Sequence, residues 1–180
     1  MKPTSPYRLG VVTASHAGFT LVELVVVIVV VGILGAAAAS RYFDRNTGDS
    51  RAFADQSAFM VRYAQKVAVA QNRNVWVLVA PAGIKLCYTA ACGAADYVAA
   101  PGGSNSGTGA SSSFCSGSAS WACEAPPSGI SFGTTLSFYF DGIGKPFSAG
   151  GAWSAAQNIS VLGGPAARSF TVEMETGYVH

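Results

Sequence analysis

Three arrangements in this chain of 180 residues could do chemistry: a glycine-flanked serine, four cysteines, and a carboxylate inside an aliphatic run. Gly129-Ile130-Ser131-Phe132-Gly133 has the spacing of a nucleophile elbow, in which a strained turn lifts a serine hydroxyl toward a base. That chemistry needs a strand before the serine, a helix after it and a well-held histidine. Here Pro126 and Pro127 come before, the β-rich run TTLSFYF comes after, and the only histidine beyond His16 is the terminal His180. No catalytic residue is assigned. Gly107-Thr108-Gly109 and Gly142-Ile143-Gly144 lack the strand-to-helix setting that cradles phosphate. Asp141 reads as a turn former rather than a metal ligand. The sequence points to no enzyme, no metal and no cofactor.

Cys87, Cys92, Cys115 and Cys123 are even in number and lie in loop-like surroundings. That pattern fits disulfides in a domain outside the cytoplasm. A closed zinc site of four thiolates is the rival reading, but the spacings C-x4-C and C-x7-C lack the two-residue knuckle. No Lys, Arg or His adjoins these cysteines to lower a thiol pKa. Four cysteines allow three connectivities. Cys87–Cys92 with Cys115–Cys123 is favoured because each closes a short local loop, and the sequence leaves the choice open.

Glu23 lies in FTLVELVVVIVVVGILGAAAA, residues 19–39, which as a helix would run about 30 Å, the thickness of a bilayer's hydrocarbon core. A carboxylate near mid-membrane costs roughly 2.5 kcal/mol or more unless it is paired or sits at headgroup level. The lead MKPTSPYRLGVVTASHAG carries Lys2 and Arg8, which would hold that end in the cytoplasm and send the rest outward. If residues 1–18 were removed, nine basic residues would face nine acidic ones, leaving no global attraction to phosphate.

Beyond the span, Phe53, Met60, Tyr63, Val67 and Ala70 recur at helical spacing, which predicts an amphipathic continuation ending near residues 72–74. Gly48 within residues 46–50 is expected to loosen it locally. Strands are predicted at residues 75–79, 84–88, 136–140, 158–162 and 169–174, the first two forming a hairpin over Pro81-Ala82-Gly83. Residues 99–120, rich in Gly and Ser, are expected to form a flexible exposed loop. The expected class is α+β, a long helix packed on an antiparallel β-sheet head. Its divisions are a polar lead at 1–18, a helix at 19–74 (membrane-spanning at 19–39) and a head at 75–180 on the outer side of the membrane.

Gly18-Phe19-Thr20-Leu21-Val22-Glu23 followed by an aliphatic run resembles the N-terminal signal of type IV pilins and type II secretion pseudopilins. The resemblance implies that a prepilin peptidase cuts after Gly18 and methylates the new amine of Phe19. It also implies that Glu23 aligns the subunit during assembly in the inner membrane. Ala17 and His16 stand where the family has Lys or Arg, which would slow processing without abolishing it. Pilins often carry proline where Ser40 stands, and without it a straighter stem is expected. YAQKVAVAQNRNVWVLV from Tyr63, FDGIGKPF from Phe140 and the closing FTVEMETGYVH from Phe170 resemble the GspH/FimT group, nearest to the MSHA-type minor pilins. A minor pilin that joins or initiates a pilus is therefore expected, with other pilins as partners; a type II secretion pseudopilin is the alternative. DNA capture by FimT-like relatives uses a G-R-x-R loop. Gly177-Tyr178-Val179-His180 lacks both arginines, so nucleic acid is disfavoured as a partner.

Overall fold

The computed structural model describes residues 20–164 and 166–180, with residues 39–45 described as helix backbone only. Helix α1 spans Leu21–Gln71, and by contacts the chain divides into two units, Met1–Ala39 and Ser40–His180. In the first unit, Thr20 caps α1, its carbonyl accepting from the Leu24 amide at 3.2 Å. Leu, Val and Ile dominate the turns that follow, and every described residue there is exposed.

In the second unit, residues 46–50 remain within α1 despite Gly48. The helix ends in a Schellman motif. Asn72 takes a left-handed conformation (φ 47°), and the amides of Asn72 and Arg73 reach back to the carbonyls of Val69 and Ala68 at 3.3 and 3.1 Å. Asn tolerates that φ better than most residues, which fixes the stop at the expected place. Phe53, Ala54, Ala58, Met60, Val61, Ala64, Val67 and Ala68 form the buried face. Tyr63 packs partly against it. Ala70, expected on the same stripe, is exposed because the helix is already leaving the core there.

That face is covered by strands. A six-stranded antiparallel sheet contains β1 (Val75–Ala80), β2 (Gly83–Cys87), β3 (Cys123–Glu124), β5 (Leu136–Phe140), β6 (Pro146–Ser148) and β7 (Gly151–Ala152), in the order β3-β2-β1-β5-β6-β7. A second sheet has the order β4-β8-β9, with β4 at Ser131–Phe132, β8 at Gln157–Leu162 and β9 at Arg168–Val172. Strand alternation explains the burial. Val77 pairs with Leu86 on one side and Phe138 on the other, and all three are fully buried. From the second sheet come Phe132, Ile159, Val161, Phe170 and Val172. Phe132 meets the Phe53 ring at 5.2 Å between centroids. Each large side chain removed from water here contributes about 1.5–3 kcal/mol. The fold is α+β, as expected. The strands β3, β4, β6 and β7, absent from the sequence reading, are two or three residues long, too short to show a period.

The Gly/Ser-rich segment expected as an exposed loop is partly packed. It contains α2 (Gly109–Phe114), capped by Thr108, whose side chain accepts from the Ser111 amide. Ser111 and Cys115 are fully buried. A buried acid organises this segment: Glu124 accepts from the Ser106 amide at 2.6 Å and from the hydroxyls of Ser106 and Ser111 at 2.5 and 2.7 Å.

Candidate functional site

The N-terminal turn of α1 positions the one acid of the apolar run. Thr20 Oγ1 accepts a hydrogen bond from the Glu23 amide at 3.2 Å. Threonine at the cap with glutamate three residues later is the capping-box pattern, which satisfies helix-end amides that have no partner within the helix. A carboxylate in this first turn is also favoured by the helix dipole. Glu23 thus occupies the end of the helix, where a charge in lipid costs less than at the middle.

From Leu21 to Ala38 the helix has a mean hydropathy of 2.8 and no residue buried within the structure. By length and composition it can cross a bilayer. Leu21 is 80% exposed and Ile33 66%; aliphatic surface on that scale requires lipid or other helices to cover it. A Cβ added at Gly32 or Gly35 would meet nothing within 4 Å, so both small residues are open to a close-approaching neighbour. Gly18 and Phe19, the expected cleavage and methylation positions, lie outside the described residues.

In the head, disulfides join Cys87 to Cys92 and Cys115 to Cys123. Ser131 opens a short strand paired with β8, with neither a helix behind it nor a base beside it among the described residues. Asp141 shapes a turn: its Oδ1 accepts from the amides of Ile143 and Lys145 at 3.0 and 2.9 Å. Among the described residues no group of three or more His, Cys, Asp or Glu side chains could hold a metal ion.

The C-terminal residues pair with β9, Thr171 and His180 exchanging backbone bonds at 2.7 and 3.1 Å. From α1, Arg62 donates to the Val179 carbonyl at 3.0 and 3.2 Å, and Gln65 donates to those of Gly144 and Thr176. Tyr178 stacks on His180 at 5.5 Å, while His180 Nε2 lies 2.9 Å from Glu173. The two rings are thus engaged with each other beside an acid, a poor electrostatic setting for phosphate.

Sequence reasoning missed Glu124. Its only signal was an acid adjoining Cys123 and followed by Pro126-Pro127, and the serines that bind it lie 13 and 18 residues away.

Residues 13–39 match the prokaryotic N-terminal methylation motif. The chain is similar to the type IV narrow pilus major component PilA5 of Thermus thermophilus, with 41% identity over 58 residues, 32% of this chain and 50% of that protein. It thus spans about half the length of the curated relative it matches. No solved structure matches.

Proposed function

We propose that this chain is a type IV pilin-like subunit, held in the bacterial inner membrane by the first part of α1 until it enters a filament. The observation that carries this reading is Glu23, an acid in the capped first turn of an otherwise aliphatic helix, within a matched methylation motif. In this reading prepilin peptidase hydrolyses the Gly18–Phe19 bond, and the new amine of Phe19 then takes one methyl group from a sulfonium methyl donor, which leaves as the neutral thioether while the amine gives up a proton. The amine is cationic and Glu23 anionic, so the Phe19 terminus of an incoming subunit and a Glu23 already in the filament neutralise each other in a low-dielectric setting. The aliphatic face loses lipid and gains neighbouring helices at similar cost, because hydrocarbon is as apolar as Leu or Val. The head then faces outward, in the compartment where its disulfides persist.

Within that class we favour a minor, MSHA-like pilin that joins or initiates the pilus. This rests on the resemblance of the Tyr63, Phe140 and Phe170 segments; the matched relative is described as a major pilus component, which supports a pilus rather than the minor role. A type II secretion pseudopilin is the alternative, since both machines use the same N-terminal motif; secretion genes beside the reading frame would favour it. Mass spectrometry of the protein isolated from its host tests the central reading. The expected N-terminal peptide begins with N-methylated Phe19, and an intact Met1 or an unmodified Phe19 would overturn it.

A further inference from the structure

Lys85 stands in β2 between Ile84 and Leu86, which point into the core, so it projects from the opposite face beside its pairing partner Leu78. A cavity of about 290 Å³ opens there, walled by Leu78, Ala80, Ala91, Cys92 and Phe114. Two features build it. The ring of Phe114 lies over β2 at Gly83, where a Cβ would fall 2.6 Å from Phe114 Cε1 and closer still to the Glu124 carbonyl oxygen. In addition, each outer wall adjoins a disulfide. Phe114 precedes Cys115, which is bonded to Cys123, and Ala91 precedes Cys92, which is bonded to Cys87.

The ammonium of Lys85 is held within this frame. Nζ lies 4.5 Å from the Phe114 ring centroid and 3.5 Å from the Tyr97 hydroxyl, which in turn is 3.4 Å from Ser116 Oγ. Among the described residues only one of the three N–H donors has a protein acceptor, and that bond is long. Among the described residues no carboxylate is within ion-pair distance of Lys85, and no acid lines the cavity. Apolar walls, one cation and a half-open volume just under the usual range for ligand pockets describe a site for a small molecule rather than a folded element.

We propose that this cavity binds a small organic carboxylate, its anionic group on Lys85 and its apolar body against Leu78 and Phe114. The test is saturation-transfer NMR on the full chain in lipid nanodiscs, with benzoate as probe and benzamide as its neutral counterpart. Benzoate is expected to bind about tenfold or more tightly than benzamide, the usual worth of one charge-assisted contact. Lys85→Met should reduce benzoate to the level of benzamide and Lys85→Arg should retain it. Ala91→Trp, which fills the cavity from an exposed position and keeps Lys85, should abolish both signals. Equal binding of the two probes to the unaltered protein, a comparison that needs no variant, would overturn the proposal. So would benzoate binding unchanged in Lys85→Met or in Ala91→Trp.

Discussion

The backbone amide of Glu23 donates to the Thr20 hydroxyl at 3.2 Å, which ties the acid of the apolar helix to the residue that begins it. Cap and acid are therefore separable. Thr20→Ala should loosen the first turn by about 0.5–2 kcal/mol, the usual cost of losing a threonine cap, and leave the carboxylate in place.

Glu23→Ala should do the opposite. Removing a charge from an aliphatic helix favours insertion, so the variant is expected in the membrane fraction at undiminished level yet depleted from sheared filaments. Glu23→Gln keeps size and hydrogen bonding, and should be depleted to the same degree if the charge is what aligns subunits. In immunoblots of filament and membrane fractions, normal incorporation of Glu23→Ala would remove Glu23 from assembly, and normal incorporation of Glu23→Gln would remove its charge.

The Cys115–Cys123 bridge spans eight residues of sequence and joins the end of α2 to β3. Chain-entropy arguments give such a short loop about 2.5 kcal/mol. The double variant Cys115→Ser, Cys123→Ser should lower the unfolding free energy of the head by about that much. Chemical denaturation of the full chain, followed by fluorescence of the head's tryptophans, would read the change. A midpoint identical to the parent's would show that Glu124 and the strand pairing alone hold the segment.

Ser111 Oγ donates to Glu124 at 2.7 Å and accepts from the Ala125 amide at 3.0 Å and from Ser106 Oγ at 3.1 Å. Ser111→Ala leaves a buried carboxylate short of one donor and a backbone amide without its acceptor. A loss of about 1–3 kcal/mol is expected, the cost of stranding buried polar groups. A thermal melt that does not move would mean water replaces the hydroxyl on both sides.

What was legible in the chain followed from how local its cause is. The helix stop at Asn72 and the strands from Val75 and Leu136 rest on residues adjacent in sequence, and they emerge within a residue or two. The disulfide loops are local as well. Glu124 was not legible because its burial depends on Ser106 and Ser111, brought to it by a segment whose composition alone suggested no packing. Lys85 was opaque for a similar reason: its setting requires Phe114, 29 positions on, to settle over Gly83. Composition reported how freely the Gly/Ser segment could move, and could not report that one buried carboxylate would anchor it.

Tyrosine titration gives a last test, because two phenols are pushed in opposite directions. Tyr97 is lowered from the usual 10.0, chiefly by its hydrogen bond with Ser116 and also by the positive Lys85, against the opposing effect of burial. Tyr63 is raised, mainly by burial and then by the neighbouring Tyr88; its hydroxyl donates to the Ala99 carbonyl at 3.1 Å. As pH rises, Tyr97 should therefore ionise before Tyr63. The linkage runs in opposite senses. Tyr97 adds stability as pH climbs through its lowered folded value, in full above the unfolded value near 10, and that contribution is lost as pH falls back through the folded value. Tyr63 contributes below the unfolded value and loses that contribution as pH rises through its raised one. Ser116→Ala should return Tyr97 upward toward the ordinary value and leave Tyr63 unmoved. Carbon-13 shifts of labelled tyrosine rings would follow both midpoints, and a Tyr97 midpoint untouched by Ser116→Ala would show that Lys85 alone sets it.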